Sequence, residues 1–174
     1  CGKYLKENGH LRGNSVVSTV MANLGFFKAM DQLGIATEST QVGDKYVYDC
    51  MVKNDYMLGG EQSGHIIFKE HATTGDGLLT ALKLLEVMHK TGKNIRELEE
   101  GLKIYPQLLV NVPVKDKEAA MQAEPLVNEV AAINEELHGN GRILVRPSGT
   151  EPLVRVMVEA ESDELCHHYV YRVV

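Results

Sequence analysis

The sequence predicts an α/β domain over residues 1–104 followed by a smaller α+β domain over 105–174. Three observations carry this reading. Strand-like, β-branched runs alternate with helix-period apolar repeats through the first hundred residues. The pattern then breaks at Gly101 to Gln107, with Tyr105-Pro106 inside the break. Beyond it the order becomes strand, helix, strand, strand, helix, and the last two strands lie close together in sequence.

Each element has a local reason. Residues 15–20 (Ser-Val-Val-Ser-Thr-Val) favour a pleated strand. Asn23 caps the following helix, whose Leu24, Phe27, Met30 and Leu33 recur every third residue until Gly34 ends it. A short strand over 36–41 leads to Val42-Gly43-Asp44, where Asp44 reads as the cap of a helix carrying Val47 and Met51 on one face. Residues 56–58 and 65–68 read as short strands around Gly-Gly-Glu-Gln-Ser-Gly at 59–64. Residues 77–91 form the clearest helix, with Leu78, Leu82 and Leu85 beside Ala81 and Met88 as its core stripe, stopped at Gly92. Asn94 and Glu97 make a capping box. In the second domain a strand over 108–114 precedes a helix over 124–138 that opens with Glu124-Pro125 and repeats Leu126, Val130, Ile133 and Leu137. Apolar strands at 143–145 and 153–158 follow. Ser162, with Asp163 and Glu164 in the first turn, starts the last helix.

Composition excludes several function classes. The 174 residues are 44% hydrophobic and carry a net charge of −6, so no extended positive surface awaits nucleic acid or an anionic membrane. Any anion must be met by a local pocket. Cys1, Cys50 and Cys166 are odd in number and far apart, which suits a reducing cytoplasm better than a disulfide framework or a zinc site. No run approaches the roughly 20 apolar residues of a membrane span. The first residues do not resemble a signal peptide, there is no initiator Met, and the last residues fall within an apolar pattern. The sequence therefore reads as a piece of a longer cytoplasmic protein.

Two short segments combine residue types that carry chemistry. In Arg146-Pro147-Ser148-Gly149-Thr150-Glu151, positive φ at Gly149 would let successive N–H groups converge on an anion. Ser148 and Thr150 add hydroxyl donors, and Arg146 a planar fork suited to phosphate. Arg155 stands on the solvent face of the next strand. A capped hairpin with a solvated arginine fits the same residue types, but two arginines converging in an acidic protein favour phosphate. In Gly59 to His65, the side chains of Glu61, Ser63 and His65 would project to one side of an extended segment and suit the vicinal hydroxyls of a sugar. A Gly-rich turn with a surface acid and a surface histidine fits that spacing as well. At Gly43-Asp44-Lys45 a cap and a solvated lysine compete with a loop-to-helix junction facing an anion. Thr73 to Gly77 reads as a helix start. Cys166-His167-His168 is poor metal-binding material, since neighbours on a helix point about 100° apart.

Together, Gly-Gly-Glu-Gln-Ser-Gly-His at 59–65, Thr-Gly-Asp-Gly at 74–77 and Arg-Pro-Ser-Gly-Thr-Glu-Pro at 146–152 resemble the α-D-phosphohexomutase superfamily. Within it, residues 16–25, residues 42–47 and Gly149 most resemble the bacterial phosphoglucosamine mutase subfamily, over essentially the whole chain. The resemblance implies a three-layer, mixed-sheet third domain, and a fourth domain with an antiparallel sheet packed on helices. It implies that Glu61, Ser63 and His65 contact sugar hydroxyls, and that Gly43, Asp44 and Lys45 help distinguish the two sugar orientations. Lys45 stands where the family pattern has Arg. Arg146, Ser148, Gly149, Thr150 and Arg155 would hold the non-reacting phosphate. A phosphoserine in the first domain and Mg²⁺ held by an Asp-rich loop of the second are also implied. This chain has no Asp-x-Asp-x-Asp, so it would contain neither a catalytic nor a metal-binding residue and be inactive alone. The implied substrate is a hexosamine phosphate, with glucosamine 1,6-bisphosphate as intermediate and the missing N-terminal domains as partner. A homodimer of the intact enzyme and a role in cell-wall precursor synthesis are implied too. A phosphomannomutase or phosphoglucomutase fragment and a non-catalytic phosphosugar-binding module are the alternatives.

Overall fold

A computed structural model describes all residues, Cys1–Val174. They form two compact units, Cys1–Lys103 and Ile104–Val174. The first runs α1 (Gly2–Glu7), a single 3-10 turn (Arg12–Asn14), β1 (Ser15–Thr19), α2 (Leu24–Gln32), β2 (Ala36–Thr40), α3 (Asp44–Asn54), β3 (Leu58–Gly60), β4 (Ile66–Phe68), α4 (Gly77–Thr91) and α5 (Ile95–Leu98). The strand order is β2-β1-β3-β4; β1 runs parallel to β2 and β3, and β4 pairs antiparallel with β3.

Strand alternation shows why β1 is apolar on both sides. Val16 packs with Ile35, Leu58 and Phe68, under Leu5 of α1, Phe26 and Met30 of α2 and Leu79 of α4. Its neighbour Val17 points the other way, to Val47 and Met51 of α3 and to Ile67. Helices thus cover both faces and the unit has three layers. Close packing dictates Gly59: a Cβ there would stand 2.6 Å from both Met51 Sδ and Val47 Cγ1, so any side chain would push α3 off the sheet.

The structure departs from expectation at three places in this unit. α1 and the 3-10 turn lack an amphipathic repeat long enough to announce them. Asp44 is the first residue of α3, not its cap; Gly43 holds the cap position and makes no side-chain bond. α4 has the expected span but turns the opposite face inward. Val87 is buried and Leu79 and Leu84 half-buried, while Leu78, Leu82 and Leu85 are 73%, 56% and 58% exposed. Leucines encircle this helix, so apolar periodicity alone does not choose its buried face.

The second unit runs β5 (Gln107–Pro113), α6 (Lys117–Gln122), α7 (Glu124–Leu137), β6 (Arg142–Pro147), β7 (Leu153–Glu159) and α8 (Asp163–Val170). Its antiparallel sheet has the order β5-β7-β6. Val156 and Val158 of β7 face Ile133 and Leu137 of α7 and Cys166 and Val170 of α8. The intervening β7 residues, Arg155, Met157 and Glu159, point to the opposite face. The stretch between β5 and β6 holds two helices where one was expected. They meet at Ala123, whose ψ of 120° breaks the helix just before Pro125. Arg172 ties α8 to α7, its Nε donating to Glu129 at 2.7 Å and its two Nη atoms to Glu136 at 2.6 and 2.9 Å.

Candidate functional site

Three loops of the first unit meet around Glu61. The turn between β3 and β4 brings Glu61, Ser63 and His65 together by folding, not as the extended segment expected from their spacing. Glu61 N–H donates to the His65 carbonyl at 2.9 Å and Gly64 N–H to the Glu61 carbonyl at 3.1 Å. Ser63 Oγ then lies 3.0 Å from His65 Nδ1 and 3.5 Å from Glu61 Oε2. Glu61 Oε1 accepts the Gly43 N–H at 2.8 Å, which joins the loop preceding α3 to this turn. Asp44 Oδ2 accepts from Thr74 Oγ1 at 2.9 Å, which brings in the third loop. That loop comes closest at Gly75, where a Cβ would stand 2.8 Å from the His65 Cβ. Asp76 caps α4 through the Leu79 N–H. Lys45 is exposed on the first turn of α3. The cluster offers Ser63 and His65 as exposed donor-acceptors and leaves Glu61 lone pairs free, a set able to bind adjacent hydroxyls.

In the second unit, β-register places Arg146 of β6 directly opposite Arg155 of β7, with Asn111 of β5 in the same row. Like charges face to face on a sheet repel. Both Nε–H groups are buried and have no hydrogen-bond partner. Burial first, and then Arg155, pushes the Arg146 guanidinium below its ordinary value. Arg155 Nη2 reaches Glu151 Oε2 at 3.3 Å. An anion placed over this pair would satisfy both orphan donors and relieve the repulsion.

The adjoining turn is tied down from several sides. Ser148 is 2% exposed; its N–H donates to the Leu153 carbonyl at 2.9 Å, and its Oγ accepts from Glu151 N–H at 3.3 Å. Val114 N–H donates to the Pro152 carbonyl at 3.0 Å, and Lys117 Nζ of α6 to the Ser148 carbonyl at 2.8 Å. Two premises of the expected anion nest change as a result. Gly149 does not adopt positive φ, and the Ser148 amide is committed inside the turn. The Gly149 and Thr150 amides take no part in the turn's own backbone bonds and remain as donors, with the Ser148 and Thr150 hydroxyls. Lys117 and Asn111 were not legible as site residues. One is an ordinary first-turn lysine, and the other an ordinary outward residue of an alternating strand.

No group of three or more His, Cys, Asp or Glu side chains is placed to hold a metal ion. Cys166 is buried, while His167 stacks on Tyr171 and His168 packs edge-on against Tyr169. The residues of this chain thus do not fit the Mg²⁺ that the resemblance implies.

The sequence model described as phosphoglucomutase/phosphomannomutase, alpha/beta/alpha domain III, matches residues 1–105, and that of the C-terminal domain matches residues 109–174. The chain belongs to the phosphoglucomutase/phosphomannomutase family. Among its relatives is the phosphoglucosamine mutase of Geobacillus thermodenitrificans, 58% identical over 99% of this chain and 39% of the relative. The chain thus spans about 39% of the length of such curated relatives. The N-acetylphosphoglucosamine mutase of Aspergillus fumigatus shares the fold, with a TM-score of 0.83 at 20% identity over 99% of this chain and 40% of that one. A further structure of the Aspergillus enzyme, with a TM-score of 0.73 at 20% identity over 99% of this chain and 41% of that one, holds GlcNAc-6P and magnesium. Another, with a TM-score of 0.72 at 22% identity over 91% of this chain and 38% of that one, holds glucose 1,6-bisphosphate.

Proposed function

We propose that this chain is the substrate-holding C-terminal part of a phosphoglucosamine mutase. The intact enzyme would interconvert glucosamine 6-phosphate and glucosamine 1-phosphate through a phosphoserine and a bisphosphorylated intermediate. One observation carries the reading: two guanidinium groups face each other beside a hydroxyl-bearing turn with their buried Nε–H groups unsatisfied. A bound phosphate supplies the acceptors and the negative charge that this arrangement lacks. The close relatives named phosphoglucosamine mutase support the amino-sugar assignment.

In this reading Arg146 and Arg155, with the Gly149 and Thr150 amides and the Ser148 and Thr150 hydroxyls, grip the phosphate that is not reacting. Glu61, Ser63 and His65 hold ring hydroxyls, while Gly43, Asp44 and Lys45 border them and bear on which way round the sugar lies. Polar contacts to hydroxyls and a distal phosphate can be made in both sugar orientations, as a mutase needs. The contribution to catalysis is orientation. A homodimer and a cytoplasmic location belong to the same proposal.

The test uses the full-length enzyme. Arg146→Ala removes a charge-assisted contact of about 1.5–3 kcal/mol, so the Kd for glucosamine phosphate should rise about ten- to a hundredfold. Unchanged affinity would end the phosphate role. Faster turnover of mannose or glucose phosphates than of glucosamine phosphate by the unmodified enzyme would overturn the amino-sugar assignment.

A further inference from the structure

Two carboxylates border the turn between β3 and β4, and they are held differently. Glu61 has a donor near each oxygen: Oε1 accepts the Gly43 N–H at 2.8 Å, and Oε2 lies 3.5 Å from Ser63 Oγ. Asp44 follows Gly43 directly and opens α3, so the bond that ties Gly43 to Glu61 also brings Asp44 up to the turn. Asp44 is half-buried, and its Oδ2 accepts the Thr74 hydroxyl at 2.9 Å from the loop before α4. Its other oxygen, Oδ1, accepts no bond within the chain, and no lysine, arginine or histidine pairs with the carboxylate. The next residue, Lys45, is exposed and points about 100° away around the helix. A carboxylate held in place by a neutral hydroxyl, with one oxygen open, thus leaves an uncompensated negative charge at the edge of the hydroxyl-binding groups.

We infer that Asp44, held by Thr74, is the residue that selects an amino sugar, its open oxygen accepting from the protonated 2-amino group. This rests on the reading above, in which the site takes a hexosamine phosphate. Hydroxyls alone can be bound by neutral donors and acceptors. A carboxylate without a cation gains most from a ligand that carries the missing charge. An amine of this kind is largely protonated near neutrality, much as a chain's α-amino group is. A hydroxyl in the same place keeps one hydrogen bond and forfeits the ion pair. Glu61 is less suited to the task, because Gly43 N–H and Ser63 Oγ already lie against its two oxygens. Thr74 is a positioning residue: it fixes the Asp44 carboxylate without cancelling its charge, as a lysine in that place would.

The full-length enzyme is assayed with glucosamine 6-phosphate and with glucose 6-phosphate, each with Mg²⁺ and the corresponding 1,6-bisphosphate. The quantity read is the ratio of kcat/KM for the amino sugar to that for the plain sugar. Asp44→Asn keeps the shape and the bond accepted from Thr74 and removes the charge, so the ratio should fall about tenfold. Thr74→Val should lower the same ratio by a smaller factor, and Thr74→Ser should restore it. Equal losses on both sugars, or an unchanged ratio, would mean that Asp44 only shapes the loop, and either overturns the inference. Where Asp44→Asn does not fold, the two Thr74 variants decide by the same ratio. An unmodified enzyme without preference for the glucosamine ester overturns this inference together with the proposed reaction. A preference that survives Asp44→Asn overturns this inference alone.

Discussion

Arg146 and Arg155 illustrate how far residue types alone can lead. Both were legible as a cationic pair beside a Ser-Gly-Thr turn, but sequence does not report that register sets them face to face or that their Nε–H groups are orphaned. Lys117 was not legible at all. A lysine on the first turn of a helix is ordinarily solvated, and only folding brings its ammonium 2.8 Å from the carbonyl of buried Ser148. That bond holds the turn against α6. Lys117→Met leaves the Ser148 carbonyl without this donor, a loss of about 1–3 kcal/mol. In the full-length enzyme KM for glucosamine phosphate should rise about tenfold, with kcat changing less, and Lys117→Arg should recover most of the loss. A lowered melting temperature with KM unmoved would show that Lys117 only braces the fold.

At the scale of elements, legibility tracked whether one local signal decided the outcome. Caps at Asn23, Asn94 and Ser162 accept the backbone N–H expected of them, and Asp76 caps α4 within the helix start read at Thr73 to Gly77. α7 buries Ile133 and Leu137 as its repeat foretold, because polar residues fill its other face. α4 failed where such contrast is missing, and α1 and α6, six residues each, are too short for a periodic signal. The grouping of Glu61, Ser63 and His65 was legible as residue types, but its turn geometry depends on the Gly43 and Gly75 loops closing around it. The end of α3 supplies a pH test. Asp55 takes the left-handed C-cap position and accepts from Lys69 at 2.6 Å and Arg12 at 3.0 Å. Lys69, then Arg12, holds its carboxyl below the usual aspartate range. Its contribution is therefore complete above the unfolded value of about 3.9 and is lost as pH falls through the lower folded value. Asp55→Asn keeps a residue that tolerates positive φ and removes only the charge. The two proteins should differ slightly in urea midpoint near neutrality, since the pair is exposed, and converge as pH falls through the lowered folded value. A constant gap across that window would exclude the ion pair as its source.

For the whole molecule, charge, cavities and chemistry divide unevenly. A net charge of −6 gives no general attraction for a phosphosugar, so recognition must come from local groups such as the arginine row of β6 and β7. In the proposed reading the first unit would supply hydroxyl-binding groups around Glu61, and the second the anion-binding row. Positioning alone lowers a barrier only when a reacting group is present to be positioned. In the proposed reaction that group is a phosphoserine borne by another part of the intact protein, and the metal that accompanies it finds no ligand cluster here. The 174-residue chain, given Mg²⁺, glucosamine 6-phosphate and glucosamine 1,6-bisphosphate, should therefore form no glucosamine 1-phosphate detectable by ³¹P NMR. The full-length protein under the same conditions should bring the two monophosphates to equilibrium. Turnover by the chain alone would mean that it holds its own phosphoryl acceptor and donor, and the division of labour proposed for it would fall.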